Sequence, residues 1–271
     1  MEDIIMKKFI TLILALALLC APACLVSCGN DDANTLTMAT NAAFPPYEFI
    51  EDGDYAGIDV EIAQEIAKKL DMKLEIVDTE FDSIIGGVVS GKYDMGMAGM
   101  TVTEDRLENV NFTSTYATGI QVVIVNEDSE YTSYEDFYTG FDEEGNPKGV
   151  KENITIGVQQ GTTGDIYSSS KPKDWGFGEK NVKRYKTGAE AIMALQAGKV
   201  TCVIIDNEPA KSFVAANKGL KILDTSYTEE DYAIAIAKDN DKLLHKVNKA
   251  LEELIADGTV QKIIDKYIPA E

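Results

Sequence analysis

Short apolar runs alternate along the chain with longer segments in which apolar residues recur every three or four positions. Thr35 to Thr40 and Lys73 to Val77 have the length and composition of β-strands. The segment between them places Ile62, Ile66 and Leu70 on one side of a helix. Strands that alternate with helices in this way predict an α/β fold.

Two units with the same plan are predicted. In the first, Asp59 caps one helix and Gly91 ends the next. In the second, the loop GTTGD opens a helix, and Thr187 with Glu190 forms the capping box of another. The predicted strands lie at residues 35–40, 73–77, 93–98, 154–159, 182–185 and 200–205. The similar junctions SGKYDMGMAG and AGKVTCVIID indicate two related lobes.

The connections between the lobes predict a hinge. Residues 121–125 and 232–237 are β-forming runs, residues 127–149 are expected to form exposed turns, and an amphipathic helix is predicted over 241–267. If the chain crosses near residues 116–120 and returns near 229–232, this helix belongs to the first lobe. We therefore predict that lobe 1 contains residues 35–118 and 232–271, and lobe 2 residues 119–231.

The N-terminus is predicted to be an export signal. Lys7 and Lys8 precede an apolar run of about eleven residues, whereas a membrane-spanning helix needs roughly twenty. The sequence Leu25 to Cys28 resembles the lipobox of bacterial lipoproteins, in which the cysteine is lipidated. We predict a signal peptide over residues 1–27, lipidation of Cys28 and a tether over 28–34. An ordinary cleaved signal is the alternative.

The composition argues against several classes of function. The chain has 271 residues and a net charge of −21, which argues against nucleic acid as a partner. Once the signal has left and Cys28 carries lipid, only Cys202 would remain, so no disulfide framework is expected. The sole histidine, His245, lies far from Cys202 on a predicted helix. No catalytic set, metal cluster or phosphate loop is recognisable, so we expect neither an enzyme nor a cofactor or metal.

The segment AGMTVTEDR contains one of the two arginines of the chain, Arg106. A guanidinium fork matches a carboxylate, and the carbonyl of Gly99 with the hydroxyl of Thr101 could hold an ammonium group. Together these groups suit the two charged ends of a free amino acid. The alternative is a surface pair of Arg106 with Glu104 or Asp105.

Five segments in order resemble one family. They are NAAFPPYEF, AGIDVEIAQEIAKKL, EFDSIIGGVVSGKYDMGMAGMTVTEDR, VQQGTTGD and VIIDNEPA. They are similar to the polar amino-acid-binding family of bacterial solute-binding proteins that serve ABC importers. The resemblance implies a two-lobed periplasmic-binding-protein fold of type II, in which each lobe is a βαβ-based sheet flanked by helices. It also implies that an amino acid is captured by hinge closure and delivered to a membrane permease.

The resemblance gives roles to matching residues. Arg106, with the backbone N–H groups of Thr101 and Thr163, would hold the α-carboxylate. Asp206, with the Gly99 carbonyl and the Thr101 hydroxyl, would hold the α-ammonium. Two rings, Phe44 and Phe81, would enclose the ligand side chain, although core packing is their alternative role. The candidate ligand-binding residues are Asn41, Phe44, Phe81, Gly99, Met100, Thr101, Arg106, Gln159, Thr162, Thr163 and Asp206.

Two kinds of ligand side chain, polar and basic, are compatible with the sequence. Asn41 stands where relatives often carry an acid, and Gln159 where some carry a lysine, so two amides favour a polar ligand. Asp82 and Glu48 lie nearby in sequence and leave a basic ligand open. The expected form is a monomer at the outer face of the cell membrane. Alternatives are a receptor's ligand-sensing domain, a dehydratase-like enzyme for a small carboxylic acid, and a structural or adhesive lipoprotein.

Overall fold

Two β-sheets and a small third sheet organise the computed structural model, which describes residues 34–269. The predicted signal peptide and the lipidation at Cys28 lie outside the described residues, as do the last two residues. Between residues 34 and 269, no helix is both long enough and apolar enough to cross a membrane.

The first sheet has the strand order β5-β1-β6-β14-β7. Strands β1 and β6 are parallel, with Met38 opposite Met95, whereas β14 runs antiparallel to both β6 and β7. A separate antiparallel sheet of β2, β3 and β4 carries Phe44 and Glu48. These strands are β1 Thr35–Thr40, β2 Ala43–Phe44, β3 Glu48–Glu51, β4 Asp54–Ala56, β5 Lys73–Asp78, β6 Met95–Gly96, β7 Val110–Phe112 and β14 Ala235–Ala237.

The second sheet has the order β10-β9-β11-β8-β12, and β13 pairs with β8 outside this path. Strand β9 is parallel to β10 and β11, whereas β8 is antiparallel to β11. The strands are β8 Ala117–Asn126, β9 Ile156–Gln159, β10 Val182–Tyr185, β11 Cys202–Asp206, β12 Leu220–Ile222 and β13 Thr228–Tyr232. The parallel strands bring the ends of β9 and β11 to one edge, where Gln159 and Asp206 lie.

Helices pack against these sheets. The α-helices are α1 Ile58–Lys69, α2 Ile84–Val89, α3 Glu104–Leu107, α4 Thr163–Ser169, α5 Gly188–Gln196, α6 Asn207–Ala216, α7 Asp241–Ala256 and α8 Thr259–Tyr267. Short 3₁₀ helices lie at Phe81–Ser83, Tyr134–Phe137, Pro172–Asp174 and Glu179–Asn181. The thiol of Cys202 is fully buried, and burial raises its pKa.

Several local predictions are wrong. Helix α1 begins at Ile58 after Gly57, so Asp59 lies inside the first turn and does not cap it. Thr187 does cap α5, but the carboxylate of Glu190 accepts the N–H of Lys186 and not that of Thr187. The predicted tail helix is divided at Gly258, where φ is 79° and the left-handed backbone interrupts the helix.

Two longer segments also differ from their predictions. The strand expected over residues 93–98 is reduced to Met95–Gly96. The stretch 127–149 does not consist only of exposed turns, because Phe137 and Tyr138 are buried in an aromatic cluster with Phe177. Packing between distant rings overrides the polar composition of this stretch.

The two predicted crossings lie beside each other. Strands β8 and β13 pair antiparallel from Ala117 opposite Tyr232 to Gln121 opposite Thr228. From Tyr232 the chain continues to Ala235, where it joins the first sheet as β14. A two-stranded connection therefore links the sheets. The lobe boundaries of residues 35–118 with 232–271, and of 119–231, stay a prediction.

Candidate functional site

Nine of the eleven candidate residues line one cavity between the sheets. The lining residues are Phe44, Phe81, Ala98, Gly99, Thr101, Arg106, Gln159, Thr162, Thr163 and Asp206. The other two candidates lie next to it. Asn41 accepts a hydrogen bond from the side chain of Gln159, and the fully buried Met100 packs in the cluster that contains Phe81.

The cavity is small because its walls contact each other. Its volume is about 10 Å³, close to the room that one water molecule needs. The Nε2 of Gln159 lies 2.8 Å from Oδ1 of Asn41, and Nη2 of Arg106 lies 3.0 Å from the carbonyl oxygen of Gly161. These contacts must open before a molecule larger than water enters.

Arg106 is held by backbone carbonyls. Helix α3 begins after Thr103, whose hydroxyl accepts the N–H of Arg106 at 3.2 Å. The guanidinium then donates to the carbonyl of Thr101 at 2.7 Å as well as to that of Gly161. Its Cζ lies 5.3 Å from the ring centre of Phe81, within the range of a cation–π contact.

The alternative of a surface ion pair for Arg106 is wrong. The side chain is 6% exposed, whereas Glu104 and Asp105 are exposed. Burial lowers the pKa of Arg106, and the carboxylates of Glu230 and Asp206 oppose this effect. A buried cation with nearby carboxylates is stable only when the surrounding charges and donors are arranged to match it.

Gly99 brings the backbone close to the cavity. Its φ of 53° lies in the left-handed region, and a Cβ at this position would be 3.0 Å from Cε1 of Phe44. The N–H of Gly99 donates to Oδ2 of Asp59 at 2.8 Å. Glycine therefore satisfies both the backbone conformation and the close packing of Phe44.

Asp206 lies at the end of β11, opposite Gln121 of β8. It occupies the residue before α6, but its side chain makes no capping bond and instead accepts a hydrogen bond from the hydroxyl of Tyr232. Burial, followed by the charge of Glu230, raises the pKa of Asp206 to about 7. An acid at a strand end before a helix could serve as a helix cap, but Asp206 makes no such bond and lines the cavity instead.

Several buried polar groups near the cavity carry no clear signal in the sequence. Glu230 accepts hydrogen bonds from Thr101 and Gln121, and Asp59 accepts from Gly99 and Tyr116. Burial raises the pKa of Asp59 to about 7. For Glu230 the sequence signal is only an alternating strand in which three consecutive acids, Glu229 to Asp231, conceal which one faces inward.

One family model matches nearly the whole chain, and individual relatives are similar to it. Residues 36–270 match bacterial extracellular solute-binding proteins, family 3. The arginine-binding extracellular protein ArtP of Bacillus subtilis is 28% identical over 275 residues, covering 98% of this chain and 100% of ArtP.

Solved structures are similar to this chain over most of its length. The holo form of ArgBP from T. maritima has 34% identity and a TM-score of 0.72, covering 85% of this chain and 96% of ArgBP. An ancestral arginine-binding protein bound to glutamine has 35% identity and a TM-score of 0.76, covering 88% and 99%. The predicted α/β, two-lobed periplasmic-binding-protein fold is confirmed.

Proposed function

Because the chain belongs to family 3 of the bacterial extracellular solute-binding proteins, we propose that it binds a free L-amino acid and delivers it to an ABC permease. The family comprises binding proteins, so the chain is not an enzyme. The dehydratase-like alternative therefore receives no support.

The observation that carries this proposal is a buried cation and a buried acid at one cavity. Arg106 and Asp206 are each 6% exposed and both line it. A zwitterion supplies a carboxylate for the guanidinium and an ammonium for the acid, so each buried charge gains a partner. Neither a simple carboxylic acid nor a simple amine meets both requirements.

The remaining lining groups suit the rest of an amino acid. The backbone N–H groups of Thr101 and Thr163 join Arg106 at the carboxylate. The Gly99 carbonyl and the Thr101 hydroxyl join Asp206 at the ammonium. The rings of Phe44 and Phe81, 7% and 9% exposed, enclose the side chain and contact its aliphatic or cationic part. Met100 and Thr162 are proposed to hold these lining residues in place.

We propose a polar or basic side chain. The amides of Asn41 and Gln159 bond to each other at 2.8 Å, and a ligand that separates them must offer both donors and acceptors. Asp82 follows Phe81 in the chain and accepts from Gln160 at 2.7 Å, and we propose it as the partner of a cationic side chain. ArtP and ArgBP are named for arginine, and the ancestral arginine-binding protein holds glutamine.

Capture is proposed to occur by closure about the β8 and β13 connection. The ligand enters when the lobes are apart, since the cavity of about 10 Å³ does not admit an amino acid. Contacts with both lobes exist only after closure, so the ligand stabilises that form. A monomer exported to the outer face of the membrane and tethered through Cys28 would present the closed form to its permease.

A thermal-shift screen of residues 29–271 against the twenty amino acids tests the proposal. A ligand at one hundred times its Kd adds about 2.7 kcal/mol of stability, which is readily measured as a rise in Tm. One or a few polar or basic amino acids should raise the Tm of the wild type but not that of Arg106→Ala. The exposed Lys180→Ala variant removes the same charge and should respond like the wild type. If folded, ligand-stripped protein responds to none of them, the amino-acid function is refuted.

A further inference from the structure

Glu230 is a buried acid in the connection between the sheets. It lies on β13 and is 5% exposed, while its neighbours Glu229 and Asp231 are exposed on the opposite side of the strand. Buried acids are retained in proteins only where donors or cations surround them. The contacts of Glu230 therefore indicate its role.

One oxygen of Glu230 receives two hydrogen bonds. Oε2 accepts from the hydroxyl of Thr101 at 2.9 Å and from Nε2 of Gln121 at 3.1 Å. The same Nε2 lies 3.4 Å from the hydroxyl oxygen of Thr163. Glu230 and Gln121 thus connect two threonines that line the cavity from different sides.

The bond from Thr101 fixes the direction of its hydroxyl. A hydroxyl has one proton to donate and two lone pairs that accept. Because the proton of Thr101 points to Glu230, its oxygen faces other partners as an acceptor only. Gly99 and Asp206 line the same cavity, and under the proposed function the Gly99 carbonyl and the Asp206 carboxylate accept from the same ligand group as Thr101, so three acceptors meet that group.

Three acceptors match one group in particular. An ammonium has three N–H donors, whereas a hydroxyl in the same place has one proton for the same three acceptors. A 2-hydroxy acid would therefore leave buried acceptors unpaired, which costs binding free energy.

We infer that Glu230 is a positioning residue that sets specificity for the α-amino group, because it holds the Thr101 hydroxyl as an acceptor. The site thereby prefers an amino acid to the 2-hydroxy acid with the same side chain. This inference rests on the proposed function.

The test compares the Kd of an amino acid with that of its 2-hydroxy counterpart by calorimetry. The first pair is L-arginine and 2-hydroxy-5-guanidinopentanoic acid, followed by the corresponding pair for every amino acid that stabilises the wild type. Glu230→Leu removes the acceptor, so Thr101 becomes free to donate to a ligand hydroxyl. Glu230→Gln keeps an oxygen where Thr101 and Gln121 both donate. The exposed Asp231→Asn variant is the control for charge.

The preference for the amino acid should fall about tenfold in Glu230→Leu, the effect of about one hydrogen bond to a charged group. It should stay within about threefold of the wild type in Glu230→Gln and in Asp231→Asn. Thr101→Val, which removes the hydroxyl, should reduce the preference as Glu230→Leu does, and it serves as the test if the leucine variant does not fold.

An equal loss of affinity for both ligands in Glu230→Leu would overturn the inference, since a purely structural role lowers both. An equal loss of preference in Glu230→Gln and Glu230→Leu would overturn it too, because charge alone would then explain the effect. If the wild type binds an amino acid and these ratios do not change, only this inference fails. If the wild type binds no amino acid, the proposed function fails and the inference fails with it.

Discussion

Asp59 of α1 accepts the backbone N–H of Gly99 at 2.8 Å, although the two residues are 40 positions apart. The same Oδ2 accepts the hydroxyl of Tyr116 at 2.9 Å. Asp59 is fully buried, and its contact fixes the peptide that leads from β6 to the cavity. A helix in the first half of the chain therefore determines the position of the backbone proposed to meet the ligand.

The protonation of Asp59 should make stability depend on pH. Burial raises its pKa in the folded protein to about 7, above the ordinary value of 3.8. Between these values the folded protein binds more protons than the unfolded chain. The contribution of Asp59 is therefore fully present below about pH 4 and is lost as the pH rises to about 7, by at most about 1.4 kcal/mol per pH unit.

Urea unfolding of the wild type and Asp59→Asn at pH 5, 6, 7 and 8 measures this contribution. The free energy of unfolding of the wild type relative to Asp59→Asn should fall from pH 5 to pH 7 and then level off. For the exposed Asp54→Asn variant, the free energy of unfolding should change with pH in the same way as that of the wild type. A constant difference between wild type and Asp59→Asn would show that Asp59 does not titrate in this range.

Ligand affinity should depend on pH through Asp206. Burial and Glu230 raise its pKa to about 7, and only its ionised form pairs with an ammonium. Below pH 7 the ligand must displace a proton from Asp206 in order to bind. The Kd should therefore increase by up to about tenfold for each pH unit below 7. Calorimetry between pH 5.5 and 8 with the amino acid identified by the screen checks this. Asp206→Asn should bind weakly with little pH dependence, and a wild-type Kd that is constant over the range would contradict the assignment.

Tyr232→Phe should move that pH dependence upward. The hydroxyl of Tyr232 donates to Oδ1 of Asp206, and this bond lowers the pKa of the acid. Its loss should raise the midpoint and weaken binding at pH 7 by about tenfold, the effect of one charge-assisted bond. Tyr227→Phe removes a hydroxyl that donates to the carbonyl of Trp175, away from the cavity, and should leave affinity unchanged. An unaltered midpoint in Tyr232→Phe would contradict this role.

Gly99→Ala should damage both folding and binding. The alanine would adopt φ near 53° and approach Phe44 to 3.0 Å, so we expect a loss of about 1–2 kcal/mol in stability and about tenfold in affinity. Gly91→Ala is the matched control, since its φ is 71° and its Cβ would meet no atom within 4 Å. Gly91→Ala should lose stability but keep the affinity of the wild type. Unfolding and binding measurements on both variants separate strain from contact with Phe44.

The sequence predicts those features of the structure that are determined by residues close together in the chain. The alternation of strands and helices follows from periodicity within each segment, and Gly99, Thr101 and Arg106 could be grouped as candidates because they are close together in the sequence. Nine of eleven candidate residues line one cavity, and three of them, Phe44, Gln159 and Asp206, are the last residues of strands. Their binding roles stay predictions until a ligand is identified.

Tertiary structure alone decided the buried acids and their partners. Asp59 has the sequence signal of a helix cap, yet its carboxylate bonds to Gly99 and Tyr116. Glu230 looks like the middle of an exposed acidic run, yet it bonds to Thr101, 129 positions away. Periodicity and capping act over a few residues and are readable from the sequence. Burial of a charge depends on which donors the folded chain brings to it, and those donors come from distant segments.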